Sequence, residues 1–441
     1  MTAVLLYSTK RCIVAVEHRQ VGFVHELGRT SPDYAAMDAR QSMLSRLRAY
    51  RPATALSREF YTSAADYQVE LEHIWYRDWL FVGHDCEVAH AGDYLTVQVG
   101  EYPLLVVRDR DGEVRAFHNS CRHRGSRICA TEHGSTSRLV CPYHQWSYRL
   151  NGELIAARDM GEDFQREQYG LRPVHCARVG GYIWICVAAV APDFDGFARQ
   201  VEPYLLPHHL QDARVAFEST LVEHANWKLV WENNRECYHC TANHPELART
   251  FPATPTLSGP AAAAENSRMQ AEGARWEYLG LPSRYQLSPN GHARIMRMPL
   301  LGDAVSYTMD GKPAVRRALS DAVTDSNVGA LLMFNFPSTW NHVLGDHAIS
   351  FRLLPLGPTE TQLTTKWLVH KDAVEGVDYD MRRLTEVWLA TNEEDRRVCQ
   401  ENQLGVSSPI YEPAPYSPVH EAGVKQFVDW YRNHLIGRLT A

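Results

Sequence analysis

The spacing of apolar residues changes register twice along the chain. Ser63-x-x-Asp66 reads as a capping box, and Tyr67, Leu71, Ile74 and Trp75 follow at i, i+4, i+7 and i+8. That pattern predicts one amphipathic helix running to about Leu80. Beyond it the period falls to two. "DYLTVQV", "PLLVVRD", "EVRAF" and "GYIWICV" read as strands, with hairpin signals at Asp111-Gly112 and Asn151-Gly152. Residues from about 85 to 190 are therefore expected to form a small antiparallel β domain. Composition shifts at "VAPDFDGFARQVEPYL", which sets a boundary near residue 195. After it come a helical segment over 226–244, the strands "ALLMFNF", "HAISFRLL" and "TQLTTKWLV", and a long helix from about Tyr379 to Gln403. The expected class is α+β. It comprises an N-terminal arm (1–54), a β domain with a leading helix (55–195), and a domain of antiparallel sheet and helices (196–441).

Bulk properties narrow the function classes. A length of 441 residues suits about two or three domains. A net charge of -7 leaves no global footprint of a nucleic-acid binder. No run of about eighteen apolar residues predicts a membrane span. The N-terminus has two short apolar runs split by Ser8-Thr9-Lys10-Arg11-Cys12, not the basic-then-apolar order of a signal peptide. A cytoplasmic protein with reduced thiols is expected. The first fifty or so residues carry little pattern and read as a flexible arm or the product of an upstream start codon. Ten cysteines are too few for a disulfide scaffold, so clustered Cys and His point to metal.

The first cluster lies in the β domain. Cys121-x-His123 is followed by Cys141-x-x-His144. Two Cys and two His suit a structural zinc, but zinc fingers group like ligands together. Here each short loop offers one Cys and one His. Two such loops can place both thiolates on one iron and both imidazoles on the other, as a Rieske [2Fe-2S] cluster requires. Cys129 has no partner at ligand spacing.

The second cluster is "ENNRECYHCTANHPE". Glu236 and His239, at i, i+3, share a helix face. His239 and His244, at i, i+5, are turned about 140° apart on a regular helix. Pro245 pushes His244 out of the α region, so this imidazole is expected at a helix end where it can swing round. Two His with one carboxylate make a mononuclear Fe(II) site with open positions. Helical phase selects the carboxylate in "LTEVWLATNEEDRRVCQENQ". Relative to the inward stripe of Leu384, Val387, Trp388 and Thr391, Asp395 falls about 20° away, Glu393 about 180°, and Glu394 and Glu401 about 80–100°. Asp395 is therefore the expected ligand, and the other acids read as a solvated face. Cys237-x-x-Cys240, within the expected helix, reads as packing rather than a redox dithiol.

With these motifs in this order, the chain resembles the catalytic α-subunits of Rieske non-haem iron oxygenases from about residue 55 to 435. The resemblance implies a helix-grip catalytic domain. It makes Glu236 a carboxylate bridge between subunits and His239, His244 and Asp395 the iron ligands. Ring-hydroxylating members usually carry Asp at the bridging position. Glu236, together with "NWKLVWENNRECYHC", "RMPLLGDAVSYTMDGKPAV" and "KWLVHKDAVEGVDYD", is similar to the branch that N-demethylates quaternary ammonium carboxylates such as glycine betaine or stachydrine. The resemblance further implies a homotrimer, O2 as co-substrate, and electrons from NAD(P)H through a flavin or ferredoxin-type reductase. They would pass from His144 or His123 of one subunit through Glu236 to His239 or His244 of the next. A ring-hydroxylating aromatic dioxygenase is the alternative. A quaternary ammonium is recognised by aromatic faces, for which Trp276, Tyr278, Tyr307, Phe334 and Trp340 are the candidates.

Overall fold

The structure is a computed structural model that describes residues 32–252, 259–323 and 325–440. The N-terminal β domain is a seven-stranded antiparallel sheet. Its strand order is Leu80–His84, Tyr182–Cys186, Pro173–Val179, Val114–His118, Tyr102–Arg108, Asp93–Val99, His133–Ser135. A three-stranded sheet (Leu139–Val140, Ser147–Tyr148, Leu154–Ala156) caps one end. Both expected hairpin turns form, with Gly112 and Gly152 at φ 84° and 90°. Gly152 cannot be replaced cheaply, because a Cβ there would sit 2.5 Å from the Phe117 ring.

The second sheet is also seven-stranded and antiparallel. It runs in the order Ala213–Glu223, Glu360–His370, Ala348–Gly357, Thr339–Val343, Ala330–Asn335, Ala293–Met298, Gln286–Leu287. The long helix is Met381–Val406, started by Asp380, whose side chain accepts from the Arg383 N–H at 2.9 Å. Its predicted stripe of Leu384, Val387, Trp388 and Thr391 is buried. Trp388 packs edge-on to Phe351 and His342 of the sheet, and Asn392 donates to Thr365 at 2.9 Å. The helix is thus gripped against one sheet face.

Two expectations change. The N-terminal arm is not patternless throughout. Pro32–Ala49 is a helix that buries Met43, Leu44 and Leu47, and Arg46 pairs with Asp66 at 2.5 Å. The leading helix is also shorter than expected: Ala64–Glu70, capped by Ser63, continues only as the π-turn Leu71–Trp75. Its buried face meets the catalytic half. Trp75 packs edge-on to Trp227. Glu70 accepts from Lys228 Nζ at 2.6 Å, Trp227 Nε1 at 2.7 Å and Tyr431 hydroxyl at 2.5 Å. Lys228 is fully buried, so this carboxylate with three donors is what makes its charge tolerable.

The two sheets meet directly. Ser338 Oγ accepts from the Phe81 N–H at 2.9 Å, Arg352 donates to the Val82 carbonyl at 2.8 Å, and His84 bonds Ser350 at 2.8 Å. Lys366 forms a buried ion pair with Glu87 across the same junction. Among the described residues, no helix is long and apolar enough to cross a membrane.

Two candidate metal centres

In the β domain, two tight turns hold the first ligand set. The Cys121 carbonyl accepts from Gly125 N–H at 2.9 Å, and the Cys141 carbonyl from Gln145 N–H at 3.0 Å. Cys121 and Cys141 are buried, and the Tyr148 hydroxyl lies 3.3 Å from Cys121 Sγ. His123 is exposed and stacks on Trp146, with ring planes 7° apart. The His123 and His144 ring centroids are 4.6 Å apart. The structure therefore brings all four side chains together, sulfurs inward and imidazoles outward. This sorting fits a cluster with two thiolates on one iron and two imidazoles on the other.

The second set forms because the helix breaks. The expected helix over 226–244 ends at Asn234, and a short helix restarts at Cys240–Asn243. His239 is the N-cap residue of that short helix and His244 its C-cap residue. His244, before Pro245, has left the α region at φ -120°, ψ 71°. The i, i+5 problem is thus solved at both ends of one turn. Asp395 reaches in from the long helix. His239 Nε2 lies 3.1 Å from His244 Nε2, and Asp395 Oδ1 lies 3.3 and 3.0 Å from the two nitrogens. Ligand atoms about 2.1 Å from a metal and at right angles to each other are about 3.0 Å apart, so this triangle fits one face of an octahedral ion.

Protons agree with that fit. Each imidazole uses Nδ1 on a carboxylate: His239 donates to Glu236 Oε1 at 2.5 Å, and His244 to Glu394 Oε2 at 2.8 Å. Carboxylates only accept, so Nδ1 carries the hydrogen and Nε2 presents a lone pair. Asp395 Oδ1 is buried with no hydrogen-bond donor, an orphaned oxygen that a cation would satisfy. Burial works against charge on His239, but Asp395 and Glu236 outweigh it and lift its pKa to about 9. Asp395 is held below the usual carboxylate range, because the two imidazoles beside it overcome the effect of its burial. The acids thus favour positive charge at this point, which a divalent ion held by the two Nε2 atoms and Asp395 would supply in place of a proton.

Glu394 is a correction. Its phase, off the inward stripe, suggested a solvated acid, yet it orients His244. The stripe describes contacts with the helix's own sheet, whereas the ligand loop approaches from the side. The Cys237-x-x-Cys240 pair is another: it forms a disulfide, with Cα atoms 4.9 Å apart. A continuous helix would leave the two cysteines as packing residues. The break at Arg235 leaves Cys240 in the first turn of a new one.

A cavity of about 670 Å³ adjoins the triad, between the sheet and the long helix. Phe334, Trp340, His342 and Trp388 line it, with Phe251 and the methionines Met269, Met296, Met298 and Met333. Of the five aromatic candidates, Phe334 and Trp340 are there. Tyr307 stands behind the wall, hydrogen-bonded to His342 at 2.9 Å. Trp276 and Tyr278 are not in the cavity. Trp276 belongs to a separate core cluster with Leu281, Val323 and Val328, and Tyr278 is 91% exposed. Both lie at the end of the helix Gly259–Tyr278, which the sequence reading did not foresee.

Comparison with known proteins agrees with the two centres. Residues 78–174 match the Rieske [2Fe-2S] domain, and residues 210–437 the ring hydroxylating alpha subunit (catalytic domain). The chain is 44% identical to the glycine betaine monooxygenase oxygenase subunit of Pseudomonas aeruginosa, over 91% of this chain and 94% of that one. It is 43% identical to the subunit of the same name from Chromohalobacter salexigens, over 97% and 96%. The fold matches the quaternary ammonium Rieske monooxygenase CntA in complex with L-carnitine, with TM-score 0.66, 20% identity, and coverage of 89% of this chain and 98% of that one. The chain belongs to the Rieske non-haem iron oxygenases, as an oxygenase subunit that joins a Rieske domain to a catalytic domain of the ring-hydroxylating type.

Proposed function

We propose that this oxygenase N-demethylates a small quaternary ammonium carboxylate, converting glycine betaine to dimethylglycine and formaldehyde, or stachydrine to N-methylproline. The likeness to glycine betaine monooxygenase subunits along nearly the whole chain carries this reading. By contrast, the likeness to biphenyl 2,3-dioxygenase subunit alpha of Rhodococcus jostii is 30% over 75% of the chain.

Cys121, His123, Cys141 and His144 would hold the [2Fe-2S] cluster, and His239, His244 and Asp395 the mononuclear Fe(II). When bound, that iron supplies O2 activation. One oxygen atom enters an N-methyl C–H bond and the other leaves as water, using two electrons and two protons that originate in NAD(P)H and a proton. The carbinolamine then loses its hydroxyl proton. Its C–N bond breaks with the pair going to nitrogen, which releases formaldehyde. A flavin or ferredoxin-type reductase delivers the electrons, and the enzyme works in the cytoplasm, where NAD(P)H is made.

Glu236 has a second role in this reading. Its Oε1 holds His239, and its Oε2 accepts from the Tyr238 and His239 N–H groups. Each carboxylate oxygen has two lone-pair sites, so capacity remains for another imidazole. Tyr238 beside it is exposed, and so is His123. A homotrimer that sets His123 or His144 of one copy against Glu236 of the next would use that capacity.

The test is formaldehyde release by purified holoenzyme with NADH and a surrogate reductase, over a panel of betaines and arenes. Formaldehyde from a betaine is expected. A dihydrodiol from an arene, without formaldehyde from any methylated amine, would establish the ring-hydroxylating alternative instead.

A further inference from the structure

The cavity beside the triad contains two guanidinium groups that pair with no acid among the described residues. Arg294 stands on the strand Ala293–Met298, where the alternation points Ala293 and Ile295 into the core behind the sheet and Arg294, Met296 and Met298 toward the cavity. Among the described residues, its side chain makes no hydrogen bond and no ion pair, and its Nε is buried without a partner. Arg235, at the end of the helix Trp227–Asn234, also lines the cavity. Its Nε is likewise buried and unpartnered, and among the described residues its only side-chain bond is to the neutral Gln426, at 3.2 Å. Both stack on one ring: the guanidinium carbons lie 4.2 Å (Arg235) and 5.0 Å (Arg294) from the Phe334 centroid.

This is a costly arrangement for the empty protein. Both side chains are partly withdrawn from water, each with a buried Nε that needs a partner, and two like charges on one ring repel. Burial lowers the pKa of Arg294 to about 10, and burial and then Arg294 lower that of Arg235. Stacking on Phe334 occupies the guanidinium faces but leaves the edge N–H donors free. It also means that Phe334 is already covered by cations and is not available to an ammonium group. The metal side of the cavity has the opposite sign, with Asp395, Glu236 and Glu394 around two imidazoles.

We infer that Arg294, assisted by Arg235, is the anchor for the substrate carboxylate, and that this anchor turns the N-methyl end toward the metal ligands. The inference rests on the betaine reading above and adds to it which end of the zwitterion goes where. Trp340 and Trp388 are left as the aromatic walls for the ammonium group.

The experiment measures binding and turnover separately, on holoenzyme of wild type, R294M and R294K. Three ligands divide the recognition: glycine betaine, tert-butylacetate (its uncharged-carbon isostere, which keeps the carboxylate), and choline, which lacks it. Tryptophan fluorescence gives the affinities and formaldehyde release the turnover. For R294M, affinity for glycine betaine and tert-butylacetate should fall on the order of 10–100-fold, while choline changes less than about twofold. KM should rise far more than kcat falls. R294K should recover part of the loss, since Lys restores charge without the fork. Ligand-free R294M should melt no lower than wild type, because it loses an unpaired, part-buried charge; a purely structural arginine would show the reverse. If wild type fails to bind tert-butylacetate, or R294M binds it within about twofold of wild type, the anchor is wrong, whatever the turnover. If wild type binds it through Arg294 yet releases no formaldehyde from any betaine, the anchor stands and the demethylase reading fails.

Discussion

Removing the Glu394 carboxylate tests the construction of the iron site most directly. In the structure Glu394 Oε2 accepts from His244 Nδ1 at 2.8 Å, and His244 is 1% exposed. Two effects follow from Glu394→Ala. The charge-assisted hydrogen bond is lost, about 1.5–3 kcal/mol in a buried site. The carboxylate side chain is 23% exposed, which argues for the lower half of that range, about 1.5–2 kcal/mol. The Nδ1–H tautomer also loses the partner that selects it, so part of the population turns a hydrogen toward Asp395 instead of a lone pair. Together these weaken Fe(II) binding about 10–100-fold. Glu394→Gln keeps a neutral acceptor and should weaken binding less than about tenfold. The assay is anaerobic competition with a coloured Fe(II) chelator, with the visible absorption of the [2Fe-2S] cluster as an internal measure of folded protein. Fe(II) affinity of Glu394→Ala within about twofold of wild type would refute the claim that this carboxylate orients a ligand.

Other perturbations separate the two centres and the frame that holds them. Asp395→Ala should lose the mononuclear iron while the cluster's visible absorption persists, measured by metal analysis and absorbance; stoichiometric iron in this variant would mean that another carboxylate is the ligand. Glu236→Gln should keep both metals and stop turnover, and full activity would remove the proposed bridge between subunits. Lys228→Met leaves Glu70 buried without its cation, so urea denaturation should show a loss of about 3–5 kcal/mol. A change below about 1 kcal/mol would mean that Trp227 and Tyr431 alone satisfy Glu70.

What the sequence revealed and what it hid follow from one distinction. Periodicity reports a side chain's direction relative to its own element. It found the hairpins, the central strands, the stripe of the long helix and Asp395, because each depends on alternation or on 3.6-residue phase. It also placed His244 at a helix end, because proline acts on its immediate neighbour. It missed Glu394, the Cys237–Cys240 disulfide and the positions of Trp276 and Tyr278. Each of these depends on a helix break or on a segment arriving from elsewhere in the chain. Arg294 was invisible for the same reason. A strand "ARIMRM" shows an arginine on one face but not that no acid will come to meet it.

The unpaired arginines bear on the choice between the two substrate classes. A neutral arene filling this cavity would displace water from Arg294 and Arg235 and give nothing in exchange, leaving desolvated charge without a partner. A site built for arenes is expected to be apolar there. A betaine supplies the missing anion and, in the same molecule, a cation suited to the carboxylate-rich metal side and to the faces of Trp340 and Trp388. A single methylene separates the two charges of glycine betaine, so satisfying the arginines fixes the direction in which the methyl groups point. With Arg294 and Arg235 as the anchor, the selectivity follows from what replaces their water: the ligand that brings an anion to them is the one already oriented for N-methyl oxidation.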